Sequence, residues 1–118
     1  MSGYRKKCQS ILEISKSIRY VGVINVYGRT LTGIIKNGRK PLLQREQAKN
    51  EFFVIATLLS MRKQQHSSIG ELEVAVFIHK KVTLVLFQRK DITYYISVEP
   101  TTKFDKLDQI ISKIKKLI

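Results

Sequence analysis

A single cysteine, Cys8, stands in 118 residues, so no disulfide can close within the chain and a secreted disulfide framework is excluded. No stretch approaches the ~20 apolar residues that a membrane-spanning helix requires. The opening residues MSGYRKKCQS have no apolar run behind their basic residues, as a signal peptide would, and the expected location is cytoplasmic. Acidic residues are scarce: 9 Asp and Glu face 22 Lys and Arg, a formal charge of +13. So basic a surface attracts nucleic acids, acidic proteins and anionic lipids through long-range potential and counterion release, without reading a sequence. It also serves solubility alone.

Catalytic patterns are missing too. A nucleophile with its base, two carboxylates with separated pKa values, or a phosphate cradle would be needed; none is visible, and no enzymatic activity, cofactor or metal is expected. Cys8 lies in a basic stretch that could activate it, but on the apolar stripe of a helix it reads as a small buried hydrophobe. His66 in a polar loop and His79 near a hairpin tip are too isolated to form a metal site. Gly22, Gly28 and Gly33 belong to a hairpin pattern as turns and close-packing points. Gly38-Arg39-Lys40 lacks the Walker spacing and its strand-to-helix setting. Asp91 reads as a turn residue.

What is present suits one globular domain over residues 1–118, with 43% apolar residues spread through the chain and no linker or repeat. Tyr4, Cys8, Ile11 and Leu12 recur at helical spacing behind Ser2, a plausible N-cap, which predicts a helix in the first fifteen residues. IRYVGVINVY (18–27) and TLTGIIK (30–36) read as a hairpin closed by Gly28-Arg29, and NGRKP ends it. A long helix follows over about Leu42 to Lys63, with Glu46 early and Arg62 and Lys63 late, as the macrodipole favours. After the polar KQQHSSIG come ELEVAVFIH, VTLVLFQR and ITYYISVE, three strands joined by tight turns. In the first, Leu72, Val74, Val76 and Ile78 alternate with polar residues and define one core-facing side. Thr102 and Asp105 form a variant capping box that opens a last helix, whose apolar stripe is Phe104, Leu107, Ile110, Ile111, Ile114 and Leu117.

The order α-β-β-α-β-β-β-α, with five antiparallel strands and a long helix after the second, resembles the roadblock family of dynein light chain and MglB-type domains, related in fold to profilin and longin domains. The resemblance covers nearly the whole chain and rests on the order and lengths of elements. It implies an α+β fold with strand order 2-1-5-4-3. It also implies a non-enzymatic module that dimerises through the long helix and a neighbouring strand edge, here Gln44–Lys63 and Glu71–His79, and that serves small Ras-like GTPases as scaffold or regulator. No residue of this sequence matches a GTPase contact of the family.

At ~100° per helical residue, Ala48, Phe52, Ile55, Ala56 and Leu59 share one face of the long helix, enough to cover a sheet. Val54, Leu58 and Met61 fall on a second face, a candidate homodimer interface unless the terminal helices cover it. With strand order 2-1-5-4-3, the Arg29 and Arg89-Lys90 turns share one end of the sheet. Lys36, Arg39, Lys40, Lys80 and Lys81 then gather at the other, as a site for an acidic protein or, weakly and without sequence preference, for nucleic acid. Two other readings compete with the scaffold. Tyr20, Tyr27, Tyr94 and Tyr95 stand in basic strands where bases could stack, although neither an RNA-recognition motif nor a double-stranded RNA-binding domain has this element order. A PAS-like ligand sensor would need a pocket between sheet and helices.

Overall fold

A computed structural model describes residues 2–118, the side chain of Ser2 excepted, and the cap expected of Ser2 lies outside the described residues. Helix α1 spans Ser2–Leu12. Strand β1 covers Ile18–Asn25 and β2 Thr30–Ile35, followed by α2 over Arg45–Arg62. A single 3-10 turn, Lys63–Gln65, leads into a short helix α3, His66–Ile69. Strands β3 (Ala75–Ile78), β4 (Thr83–Arg89) and β5 (Ile92–Val98) precede α4, Phe104–Leu117. The strands form one antiparallel sheet in the order β2-β1-β5-β4-β3.

The alternation within the strands sorts side chains onto two faces, and both are covered. Val21, Val23, Val85, Phe87, Tyr94, Ile96 and Val98 meet Cys8, Ile11 and Leu12 of α1 and Leu107, Ile110 and Ile114 of α4. Ile24, Leu84, Leu86 and Tyr95 meet Phe52, Ile55, Ala56 and Leu59 of α2. The sheet is thus the middle of three layers. Because helices lie on both sides, β3 has no solvent face of the kind its alternation suggested: Val74 and Val76 pack toward the terminal helices, Leu72, Ala75 and Phe77 toward α2, and Ile78 is exposed.

Several boundaries differ from expectation for identifiable reasons. The long helix starts at Arg45 because the Gln44 N–H donates to Gln47 Oε1 at 2.9 Å, a reciprocal cap that fixes the first turn. β3 pairs only from Ala75 to Ile78, so Glu71–Val74 run without a ladder at the sheet edge, where Glu73 instead accepts from Lys115 at 2.7 Å. The capping box expected of Thr102 and Asp105 does not form. Thr102 N–H closes a turn onto the Glu99 carbonyl, its Oγ1 is buried without a partner, and Asp105 accepts from the Lys106 N–H. Lys103 takes the N-cap position, and Phe104, displaced to the helix start, is exposed rather than part of the core stripe; Leu117 is also partly exposed.

Two glycines show what the packing of β1 and β2 on α2 demands. Gly22 and Gly33 are cross-strand partners on the α2 side, and the Tyr20 ring lies across the trough they leave, where an added Cβ would collide with it. Gly28, in the β1–β2 turn, has φ +83°, and a Cβ there would come within 2.7 Å of the backbone of Phe52 and Phe53. Gly38 shares that φ but has open space around it. Gly38→Ala is therefore expected to cost about 1–2 kcal/mol, the left-handed penalty alone. Gly28→Ala should cost a further ~1–3 kcal/mol of overpacking. Urea unfolding of the two variants measures the difference.

Candidate functional site

Helix α2 is anchored on its inner side by apolar contacts and one polar one. The Tyr95 hydroxyl donates to Glu51 Oε2 at 2.8 Å, and the Phe52 ring meets that of Tyr95 edge to face at 4.9 Å. Burial, with the Glu51 carboxylate beside it, holds the Tyr95 phenol far above its usual range, so the proton stays on Tyr95. With rotation about the helix axis fixed in this way, Val54, Leu58 and Met61 face outward, 49%, 38% and 61% exposed. Terminal helices α1 and α4 lie on the opposite side of the sheet and do not reach them. Phe53, 59% exposed, lies on the flank of α2 against the Gly28 turn, apart from that stripe. Sequence reasoning missed it because ~100° stepping places it on neither stripe.

The five cations expected at one end do lie at that end, since Lys36 follows β2 and Lys80-Lys81 form the β3–β4 turn. They do not form one cluster. β2 and β3 are opposite edges, four inter-strand steps or about 19 Å apart. On the β2 side, the Arg39 Nε lies 2.6 Å from Glu99 Oε2, and Arg19 donates both to Glu99 and to the Lys40 carbonyl. Lys36 Nζ donates to the Ser15 carbonyl; partial burial, then the Arg39 charge, draws its pKa down. Lys36 and Arg39 thus hold the loop that leads to α2, which leaves Lys40, Lys80 and Lys81 exposed. Glu99, at the end of an apolar strand, carried no signal in the sequence beyond its single acidic charge.

The remaining residues singled out from the sequence are placed as follows. Cys8 is fully buried, and burial raises its thiol from 9.0 to about 11, so it is held as an inert thiol. His66 lies in α3 and His79 in the β3–β4 turn, and among the described residues no group of three His, Cys, Asp or Glu could hold a metal ion. Tyr94 and Tyr95 are buried and Tyr20 is packed over glycine, so of the four tyrosines Tyr27 alone is free to stack on a base. The surface depressions, about 330 Å³ between the ends of α1 and α4 and about 600 Å³ beside Asn25, Tyr27 and Arg29, are open to solvent rather than enclosed between sheet and helix. No helix among the described residues is long and apolar enough to cross a membrane.

No family model matches the sequence, and no curated protein matches it. Solved structures do match the fold. The gliding protein MglB of Thermus thermophilus superposes with a TM-score of 0.75 at 12% identity, covering 98% of this chain and 85% of that one. An MglB with a tetrameric arrangement gives 0.71 at 10% identity, over 99% and 90% of the two chains. A Roadblock/LC7 domain from Streptomyces avermitilis gives 0.66 at 9% identity, over 94% and 90%. The chain therefore has a roadblock-like α+β fold of the MglB type, with the strand order that the resemblance implied.

Replacing Glu99 tests the loop anchor. Glu99→Gln leaves Arg19 and Arg39 facing each other without their shared carboxylate, and the fold should lose roughly 1–2 kcal/mol at low salt, between the values for exposed and buried pairs. The cost should shrink as added salt screens the two guanidinium groups, which urea melts at two ionic strengths would show.

Proposed function

We propose that this chain is a non-enzymatic scaffold or regulatory module that acts as a homodimer joined through α2. The observation that carries the reading is the uncovered stripe Val54, Leu58 and Met61 on a helix whose other face is already used by the sheet. Apolar side chains aligned on one helix gain by meeting a second copy of themselves, and a twofold contact lets one patch serve both sides. The tetrameric arrangement of one MglB of the same fold supports self-association. A small Ras-like GTPase is the partner class that the roadblock resemblance implies, and the basic exterior suits an acidic partner. Light scattering of the wild type should give twice the chain mass at tens of micromolar, and Leu58→Arg should give a folded monomer, because a buried unpaired charge is costly while the same charge on an exposed helix is not. A monomeric wild type would overturn the reading.

A second reading, weak nucleic-acid binding without sequence preference, draws on the +13 charge and on the exposed Lys40, Lys80 and Lys81. Lysines in turns neutralise phosphate but read no base edge. Binding of unrelated oligonucleotides should then be equal, should weaken steeply with salt, and should fall when Lys80 and Lys81 become Glu. Tight binding of one sequence at high salt would instead make nucleic-acid recognition the principal function.

A further inference from the structure

The end of the sheet opposite Lys80 carries a surface that neither reading uses. The β1–β2 turn, Val26–Arg29, and the β4–β5 turn, Lys90-Asp91, lie side by side because Asn25 pairs with Ile92. The first turn is rigid: Asn25 Oδ1 accepts from the N–H groups of Tyr27 (2.9 Å) and Arg29 (3.0 Å), and Gly28 rests against the backbone of Phe52 and Phe53. Tyr27 is held 74% exposed, with Val26 beside it and the exposed Phe53 ring on the adjoining turn of α2. Arg29 and Lys90 flank these residues, and among the described residues neither pairs with a carboxylate. Asp91 is the one acid in the two turns.

We propose that this tip docks on the surface of an anionic lipid bilayer, with Val26, Tyr27 and Phe53 entering the interface while Arg29 and Lys90 meet the headgroups. The chemistry favours a bilayer over a phosphate backbone. Val26 and Phe53 bring exposed apolar surface to the tip beside Tyr27, and Val26 gains from apolar insertion but has no ring to stack on a base. Tyrosine suits a boundary where its ring is desolvated and its hydroxyl stays wet, and each basic residue near an anionic leaflet adds attraction that decays within a Debye length. The surface is independent of the α2 stripe, so a monomer would still dock.

The full chain contains no tryptophan, so Tyr27→Trp places a sole reporter at the tip. Its emission should shift to the blue on adding phosphatidylcholine vesicles that contain phosphatidylserine, and not with phosphatidylcholine alone. In co-sedimentation with the mixed vesicles, Arg29→Glu with Lys90→Glu should weaken binding by at least roughly fivefold per residue. Val26→Ser with Tyr27→Ser should weaken it by roughly a hundredfold, the loss expected for withdrawing two apolar side chains from the interface. Lys113→Glu with Lys116→Glu, on α4, changes the net charge as much as the tip charge variant does and should matter far less. An unshifted tryptophan, or equal losses from the tip and α4 charge variants, would overturn the proposal. So would binding of a single-stranded oligonucleotide that displaces the vesicles and is lost with the same tip residues, which would assign the tip to nucleic acid.

Discussion

Pairing of the first strand with the last, β1 with β5, is the constraint on which the remaining architecture rests. Seven residue pairs from Ile18↔Val98 to Asn25↔Ile92 join the β1–β2 hairpin to the β3–β4–β5 meander across the middle of the sheet. The strands themselves are short, and either part alone would leave an apolar face without cover. Once the two are joined, α1 and α4, which adjoin β1 and β5 in the chain, are brought to one face. The long connection from β2 to β3 must then cross the opposite face from one edge to the other, which is the path α2 takes. The outward stripe of α2 follows from that route. A helix that crosses a sheet alone has nothing on its far side, whereas two helices sharing a face, as α1 and α4 do, shield part of one another.

The excess of positive charge is accommodated by dispersal. Most cations stand on the outer sides of the helices and in the turns, where solvent screens their repulsion. Where three of them converge near Glu99, the structure supplies a carboxylate to Arg19 and Arg39 and a backbone carbonyl to Lys36. Charge in that region therefore holds the β2–α2 loop in place, which is a structural role. Of the cations left without such duties, Arg29, Lys80, Lys81 and Lys90 are in turns at the two ends of the sheet.

Much of the fold could be read from local pattern. The apolar periodicity of α2 and the strand-forming runs flanking Gly28 and Lys90-Asp91 specify their elements because local preference and tertiary packing agree there. The strand order was reached only through the resemblance, since nothing in the periodicity of β1 says that its second neighbour lies some seventy residues away. The failures sit where a local signal lost to a tertiary one. Thr102 and Asp105 are good capping residues, but the turn at Glu99 delays the helix. Glu71–Val74 have strand chemistry but run along the sheet edge without a ladder, and Glu73 pairs with Lys115 instead. The stripe on α2 was visible from spacing alone, because exposure there needs only that the helix cover a sheet. The basic cluster was misjudged because the correct end of the sheet does not fix the distance across it.

The segment between α2 and β3 has a consequence for how the molecule could be assembled. From Lys63 to Val74 the chain makes one 3-10 turn, one short helix and an unpaired extension, contributing only Leu72 and Val74 to the two cores. On one side of it stand α1, β1, β2 and α2, and on the other β3, β4, β5 and α4. The two parts are held by the central ladder and by the seat of α2 on Leu84, Leu86 and Tyr95, contacts that need no covalent link. A cut within this segment would leave β1 and β5 each without its central partner and would bare the α2 face of β4 and β5.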